Sequence, residues 1–351
     1  MNIQVVGLNH KSAPIEIRER ISFSAKKLFD ALVSLKRCPP IEEGLILSTC
    51  NRVEIYTVCI DARKGFQLAQ EFLSDFHKIN PAFFKEHLYL FNDAPAIRHL
   101  FRVVSSLDSM VVGETQIFGQ VKQAYFKARE AQAAGKILSC VFEEAIKVGK
   151  LVRSETKIGR GAVSISSAAI TLAKKIFGNL DDKKVLIIGA GKIAELAVKD
   201  LYSQGIKTVL VANRTFEKAR ELARLFRGLA IRLEKIADYA RDADILISST
   251  SAPHFLVEYR QVLELMRQRN HRPIFLIDLG LPRNISPEVN EVENVHLYNI
   301  DDLAGVCDAN LKERLREAQK AERIIDSRLE LVSQELLRFK TKTIPPVPAL
   351  V

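Results

Sequence analysis

The run Val185-Leu186-Ile187-Ile188 passes without a break into Gly189-Ala190-Gly191-Lys192-Ile193-Ala194. Consecutive apolar residues read as a strand covered on both faces, and Gly-x-Gly-x-x-Ala directly behind it reads as a tight turn opening a helix. Such a strand finds cover only in a parallel sheet with helices on both sides, so this junction dictates the architecture around it. Its surroundings agree: Thr208 to Ala212, Ile245 to Ser249 and Ile274 to Leu279 are further apolar strands with amphipathic helices between them, and a helix is expected over 163 to 177. The glycine pattern also carries chemistry. Gly189 permits the turn, Gly191 lets a pyrophosphate approach the backbone, and Ala194 lets helix and strand pack closely. Ala190, Lys192 and Ile193 complete the turn, and the helix amino terminus faces the negative charge. The second strand ends in Ala212-Asn213-Arg214-Thr215. No carboxylate waits there for a ribose 2′-hydroxyl; a guanidinium and neutral donors do, which predicts NADPH, held by Asn213, Arg214 and Thr215. Ser248 to Ala252, at the end of a later strand, is either a crevice loop or an ordinary serine-rich turn.

Before this junction the chain reads differently. The first ~110 residues mix short strands (Ile3 to Leu8, Gly44 to Ser48, Glu54 to Ile60) with helical stretches near 24 to 36, 63 to 77 and 93 to 104, an α+β pattern. Helical spacing then dominates from Gln116 to Thr156, with Gly135 dividing two helices, the second a connector. From Asp302 to about Phe339 a charged sequence with apolar positions at Leu303, Val306, Leu311, Leu315, Ala318, Ile325, Leu329, Val332 and Leu336 predicts one long amphipathic helix that needs a partner surface. Pro345, Pro346 and Pro348 end it. The expected fold class is α/β multidomain, with three parts: 1–155, an α+β domain with the start of a connector helix; 156–300, a Rossmann-like NADP-binding domain; and 301–351, a C-terminal helical region.

Composition narrows the function. The sequence has 351 residues, 47% hydrophobic and 27% charged, without an uncharged 18-residue run or an N-terminal leader pattern, so a cytoplasmic protein with no membrane segment is expected. Lys+Arg of 52 against Asp+Glu of 42 gives +10, which favours polyanionic partners such as nucleic acid. The five cysteines lack the spacing of a disulfide framework or a zinc site, so no metal is predicted and a cysteine that matters must matter as a thiol. Cys38, Cys59 and Cys140 read as structural, and Cys307 lies on the charged helix. Cys50, in Ser48-Thr49-Cys50-Asn51-Arg52, is either a buried filler or a nucleophile in a polar, cationic setting. A thiolate and a hydride cofactor in one chain suit one reaction class: a thioester forms with an activated acyl group and is reduced to an aldehyde. Between Arg98 and Tyr125, Ser109, Glu114, Thr115, Gln116 and Gln120 must be hydrogen-bonded inside or face a pocket, and His99 is either a core residue or part of that pocket.

Taken together the chain resembles the glutamyl-tRNA reductase family, over about residues 3 to 335. The resemblance runs through GLNHKSAPIEIRER (7–20), LSTCNRVEIY (47–56), HLFRVVSSLDSMVVGETQIFGQVKQAY (99–125), GAVSISSAA (161–169), GAGKIAELA (189–197), ANRT (212–215) and IDLGLPRNISPEV (277–289). It implies that Cys50 attacks the ester carbonyl of glutamyl-tRNA(Glu), that NADPH reduces the thioester to glutamate 1-semialdehyde, and that this begins the five-carbon route to tetrapyrroles. It also implies that Arg52 recognises the substrate carboxylate, that Thr49, Asn51, Ser109, Glu114, Thr115, Gln116 and Gln120 line a glutamyl pocket, and that His99 supports activity. The resemblance likewise implies that 1–155 is the catalytic domain and 301–351 a shortened helical dimerisation region, and it implies a homodimer and an aminomutase partner. The sequence departs from the family pattern at Ser106, where glycine is usual, at Lys192 and Ala194, and at its end, which comes before the family's further dimerisation helices. Two other readings stay open: an NADP-dependent dehydrogenase of a free small molecule, of the shikimate dehydrogenase kind, and a non-catalytic tRNA-binding regulator.

Overall fold

A computed structural model describes residues 2–110, 112–114, 116–158, 165–305 and 311–342, apart from the side chains of 62–63, 165–167, 192–193, 304–305, 311–315, 335 and 337–342. The chain forms two compact units, one from Met1–Ala162 together with Asn310–Val351, the other from Val163–Ala309.

The first unit is built on strands β1 (Asn2–Asn9), β2 (Ile41–Ser48), β3 (Arg52–Cys59) and β4 (Tyr89–Asn92), in the antiparallel order β2-β3-β1-β4. Every residue of β3 is buried, so this strand has cover on both faces. Helices α1 (Ile15–Arg20), α2 (Leu28–Lys36), α3 (Ala62–His77), α4 (Ala94–Val104), α5 (Gln116–Glu130) and α6 (Lys136–Glu155) surround the sheet. The expected break at Gly135 separates α5 from α6. The Glu43 carboxylate caps α6 by accepting from the backbone N–H of Ile137 (3.0 Å) and Leu138 (2.7 Å), which satisfies two donors that a helix start leaves over.

The second unit holds α7 (Ile165–Phe177), β5 (Lys184–Ile188), α8 (Lys192–Ser203), β6 (Thr208–Ala212), α9 (Phe216–Leu225), β7 (Leu229–Ile231), α10 (Ile236–Ala240), β8 (Ile245–Ser248), α11 (Tyr259–Gln268), β9 (Ile274–Asp278), β10 (Val295–Asn299) and α12 (Ile300–Gly305). Its six strands are all parallel, in the order β10-β9-β8-β5-β6-β7. The chain leaves β5 toward β6 and β7, then returns to place β8 on the other side of β5. That reversal opens a crevice at the carboxyl ends of β5 and β8, where such sheets bind their ligands.

The expected helix from Asp302 to about Phe339 is described in two stretches, α12 (Ile300–Gly305) in the second unit and α13 (Leu311–Lys342) in the first; Val306 and Cys307 between them lie outside the described residues. The amphipathic reading of α13 does find its partner surface, against α4 and α6. Ala321, Ile325, Val332 and Leu336 are buried in the core of the first unit, each larger aliphatic contributing about 1.5–3 kcal/mol relative to exposure. Charged pairs flank this seam: Arg98 bonds Glu322 (2.7 Å) and Asp326 (2.9 Å), Arg102 bonds Glu322, and Arg328 reaches Glu144 (3.4 Å). Among the described residues no helix is long and apolar enough to cross a membrane.

Candidate active site

Alternation along β3 puts Arg52, Glu54 and Tyr56 on one face, so a strand buried on both sides carries two opposite charges there. Glu54 is the hub. Its Oε1 accepts from Arg52 Nη1 (2.7 Å), from the Tyr89 hydroxyl (2.6 Å) and from His99 Nε2 (2.8 Å), and its Oε2 accepts from the Tyr56 hydroxyl (2.6 Å). Strand pairing makes this reach possible. Glu54, Gly7 and Tyr89 stand in one row across β3, β1 and β4. A Cβ at Gly7 would lie 2.8 Å from Glu54 Cγ and 2.6 Å from the Val53 carbonyl, so only glycine lets the carboxylate cross the strand between them. Burial alone would raise the Glu54 acid, but the Arg52 guanidinium and His99 outweigh it and hold the carboxyl well below its usual range. Tyr56 and Tyr89 are pushed up by burial and by that same negative charge.

Arg52, 1% exposed, donates also to the Asp108 backbone carbonyl and to its carboxylate (3.3 Å). Lys11 bonds Asp108 from the other side. Burial would raise Asp108, but Arg52 and Lys11 hold it below the usual range. His99, on α4 and 8% exposed, packs against the rings of Tyr89 and Phe91 at 5.4 and 5.1 Å. Because Glu54 only accepts, Nε2 carries the ring proton, and in the neutral ring Nδ1 is left as the acceptor, 4.0 Å from Asp108.

The Ser48 to Arg52 segment is the hairpin turn between β2 and β3. Thr49 organises it: its N–H donates to the Arg52 carbonyl (2.9 Å), and its hydroxyl accepts from the N–H groups of Asn51 and Arg52 (3.1 Å each). Cys50 sits at the turn, half-buried, and its carbonyl accepts from Arg18 Nη1 (2.7 Å). The guanidinium bonded to this turn is thus Arg18's, itself buried, while Arg52 is neutralised by two carboxylates. Asn51 is 5% exposed, and its Oδ1 is buried without a hydrogen-bond partner among the described residues. The Asn51 carbonyl accepts from the His10 N–H (2.9 Å). Burial, then Arg52 and Lys11, bring the His10 imidazole down to about 4, so it is neutral near pH 7.

Ser109 is buried beside Asp108, and Glu114, pushed up by burial, lies within electrostatic reach of Ser109, Arg52 and Arg153. Gln116 and Gln120 stand one turn apart on α5 and take no part in the bonds above; Thr115 lies outside the described residues. Ser106, where glycine was expected, has φ +61, in the left-handed region, and its hydroxyl donates to the Glu114 carbonyl (2.5 Å). The serine meets a conformation that favours glycine and compensates with a bond that glycine lacks.

In the second unit Gly189 has φ +110, and a Cβ there would lie 2.3 Å from the Ser249 carbonyl. Gly189 also donates to the Ala212 carbonyl (2.8 Å), so the turn is squeezed among three strand ends. Gly191 immediately precedes α8, and Ala194 is buried at the helix start. Ala190 is half-buried, Arg214 and Thr215 are exposed, and the Asn213 amide donates to the Thr215 carbonyl (2.9 Å); the Lys192 and Ile193 side chains lie outside the described residues. The Ser248 to Ala252 segment does edge this crevice. Ser248 and Thr250 donate through their hydroxyls to Asn284 Oδ1 (3.0 Å each), as does the Thr250 N–H (2.8 Å). Asn284 and Ile285 in turn donate through their N–H groups to Asp278 (2.7 and 2.8 Å), as does Gly280 (2.9 Å). Burial pushes Asp278 up to about 6.

Residues 6–156 match the glutamyl-tRNAGlu reductase N-terminal domain family, and residues 171–306 match the shikimate / quinate 5-dehydrogenase family. The chain is 48% identical over 329 residues to the glutamyl-tRNA reductase of Geotalea uraniireducens, covering 94% of this chain and 76% of that one. It is 49% identical over 339 residues to that of Syntrophotalea carbinolica, covering 97% and 75%. The chain belongs to the glutamyl-tRNA reductase family. Among solved structures, the glutamyl-tRNA reductase from Methanopyrus kandleri aligns with a TM-score of 0.53 at 37% identity, over 97% of this chain and 82% of that one. The dehydrogenase match alone would suit a small-molecule dehydrogenase as well; the reductase match across residues 6–156 and the whole-chain relatives separate the two.

For a member of this family, Arg18 at the Cys50 carbonyl and Glu54, Tyr89 and Asp108 in the cluster joined to Arg52 are what sequence reasoning missed. A signal for one was present: Arg-x-Glu-x-Tyr in an otherwise apolar strand places unlike charges side by side on a single face.

Proposed function

We propose that this protein is an NADPH-dependent oxidoreductase that reduces the glutamyl group of glutamyl-tRNA(Glu) to glutamate 1-semialdehyde and releases the tRNA, the first step of tetrapyrrole biosynthesis. What supports the reading is that Cys50 lies on the β2–β3 turn, two residues before the Arg52 that pairs with Glu54 and through it with His99, in the unit that matches the reductase family.

Cys50 Sγ, as thiolate, adds to the ester carbonyl, and the tRNA 3′-oxygen leaves with a proton. When bound, NADPH would supply the hydride for reduction of the resulting thioester to the aldehyde, with Cys50 leaving as thiolate. Thr49 holds the turn, and the Arg18 bond to the Cys50 carbonyl fixes its backbone. Asn51 Oδ1, buried and without a partner among the described residues, suits a polar atom of the glutamyl group. Ser109, Glu114, Thr115, Gln116 and Gln120 complete the proposed pocket. Arg52 is assigned the substrate carboxylate; because it already holds Glu54 and Asp108, binding there exchanges the Asp108 bond for the substrate's. His99 supports the chemistry through its Nδ1. In the second unit Gly189, Ala190, Gly191, Lys192, Ile193 and Ala194 would hold the pyrophosphate at the start of α8, and Asn213, Arg214 and Thr215 the 2′-phosphate. The Cβ clash at Gly189 fits a backbone shaped for close approach. A cytoplasmic homodimer that passes its aldehyde to an aminomutase belongs to the same proposal.

The test is NADPH oxidation by the purified protein on addition of glutamyl-tRNA, against uncharged tRNA plus glutamate. Oxidation with the charged tRNA only, lost in a folded Cys50→Ser variant, is the expected result; oxidation that survives the substitution would refute the thioester route. Arg214→Ala should raise KM for NADPH well above its effect on NADH, and equal effects would remove Arg214 from the phosphate.

A further inference from the structure

Glu317 stands where a charge is costly. On α13 it falls about one turn before Ala321 and two before Ile325, on the stripe that packs into the core of the first unit, and it is 7% exposed. An apolar side chain would extend that stripe without desolvating a charge. The carboxylate instead accepts from the backbone N–H of Lys157 (2.6 Å) through Oε2 and from Lys320 Nζ (2.6 Å) through Oε1. Lys157 belongs to the segment that leaves α6. There Thr156 turns extended, its hydroxyl donates to the Val152 carbonyl (2.7 Å) and accepts from the Ile158 N–H (3.3 Å), and Ile158 is buried. The chain passes out of the first unit after Ala162 and returns to it at Asn310. Lys157 comes shortly before the first passage and Glu317 shortly after the second, so one carboxylate ties the roots of both. The proposed reaction divides along the same line. Cys50, Arg52 and His99 lie in the first unit, which is all that attack on the ester requires, whereas Gly189 to Ala194 and Asn213 to Thr215 lie in the second. Only reduction draws on both.

We propose that Glu317 is a positioning residue for the hydride step: by tying the outgoing segment to α13, it fixes the footing on which the second unit is carried. The inference rests on the reading of the protein as a reductase that works through a Cys50 thioester. A hydride passes only between closely aligned atoms, and a misplacement of about 1 Å costs on the order of a hundredfold in rate. A loosened footing therefore slows reduction and leaves thioester formation as it was.

The experiment compares the wild type with Glu317→Leu, which removes both acceptors and continues the apolar stripe, and with Glu317→Gln, whose amide oxygen still accepts from the Lys157 N–H. Lys320 is more than half exposed, so its ammonium turns to water in either variant. Hydrogen exchange at the Lys157 amide should be about tenfold faster in Glu317→Leu and unchanged in Glu317→Gln. Without NADPH, water takes the acyl group from Cys50 Sγ to give glutamate and the free thiol, so Cys50-dependent release of glutamate from glutamyl-tRNA reads the first half of the reaction. That rate should stay within about twofold of wild type in both variants. Single-turnover NADPH oxidation at saturating NADPH should fall about tenfold or more in Glu317→Leu and hold in Glu317→Gln. Loss of both halves by one factor in Glu317→Leu would reduce Glu317 to a structural residue and overturn the proposal. Reduction at the wild-type rate in that variant, or an unchanged Lys157 amide, would overturn it too. Failure of the family reading appears separately, as a wild type that neither releases glutamate nor oxidises NADPH, and the exchange measurement tests the tie even then.

Discussion

Glu54 and Asp278 are two carboxylates buried to the same degree, 0% and 2% exposed, and satisfied in opposite ways. Side chains surround Glu54: a guanidinium, two phenols and an imidazole. Backbone N–H groups surround Asp278, from Gly280, Asn284 and Ile285. Burial pushes both acids up. A full positive charge hydrogen-bonded to Glu54 reverses that push, whereas at Asp278 three amide dipoles, with a smaller contribution from Arg283, reduce it and leave the acid at about 6. Hydrogen bonds satisfy a buried carboxylate; only a counter-charge keeps it firmly ionised. The first unit thus builds its site from paired charges, and the second builds its crevice from backbone.

The comparison breaks most severely at Arg52. Arg52→Ala leaves Glu54 buried without its cation and should cost the first unit about 3–5 kcal/mol in urea unfolding followed by tyrosine fluorescence, while an Arg52→Met, Glu54→Leu pair should recover much of the loss. Unchanged stability in the single variant would mean that Glu54 takes a proton at little cost.

Acid should separate the units next. Asp278 has a folded value of about 6 above its ordinary 3.8, so its contribution is fully present below about 3.8 and is lost as pH rises through 6. That amounts to about 3 kcal/mol. Glu54 is lowered from 4.5, so its contribution is present above 4.5 and is lost as pH falls through its folded value. Urea midpoints at pH 4 and pH 7 should move in opposite directions for the two transitions, and Asp278→Asn should flatten that of the second unit.

A smaller effect sharpens the backbone side of the contrast. Gly189→Ala should destabilise the second unit by about 2 kcal/mol and weaken NADPH, because its φ is positive and the new Cβ strikes the Ser249 carbonyl. Gly191→Ala, whose Cβ would find its nearest neighbours at 3.8 and 3.9 Å, should leave thermal stability within about 0.5 kcal/mol and act on the nucleotide alone. The least effect belongs to Ser106. Ser106→Gly trades relief of the left-handed backbone against the bond to Glu114 and should change stability by under about 0.5 kcal/mol, while Ser106→Ala keeps the strain, loses the bond and should cost about 1 kcal/mol.

The two regions were also unequally legible in the sequence. The crevice could be read because its determinants are local: Gly189 to Ala194 follow one strand, and Asn213 to Thr215 follow the next. The thiol could be singled out from its immediate neighbours, but not the cluster around Glu54. Glu54 meets Tyr89 across 35 positions and His99 across 45, and Arg52 meets Asp108 across 56, so these contacts exist only once β1, β3, β4 and α4 have been assembled. Arg52 stands two residues from Cys50 in the sequence; the fold adds Arg18 at the Cys50 carbonyl and gives Arg52 two carboxylates. Periodicity drew one helix from Asp302 to about Phe339, and spacing alone cannot show that its two described stretches belong to different units.

The first unit is interrupted: it opens with Met1–Ala162 and is completed only by Asn310–Val351. A ribosome must therefore translate the whole of the second unit before α13 emerges. At ~5–20 residues per second this takes roughly ten to thirty seconds. Throughout that interval the surface on α4 and α6 that receives Ala321, Ile325, Val332 and Leu336 stands open to water. The order of synthesis thus makes α13 the helix that closes this surface, and until it does the nascent chain carries an apolar face of the kind that holding chaperones bind.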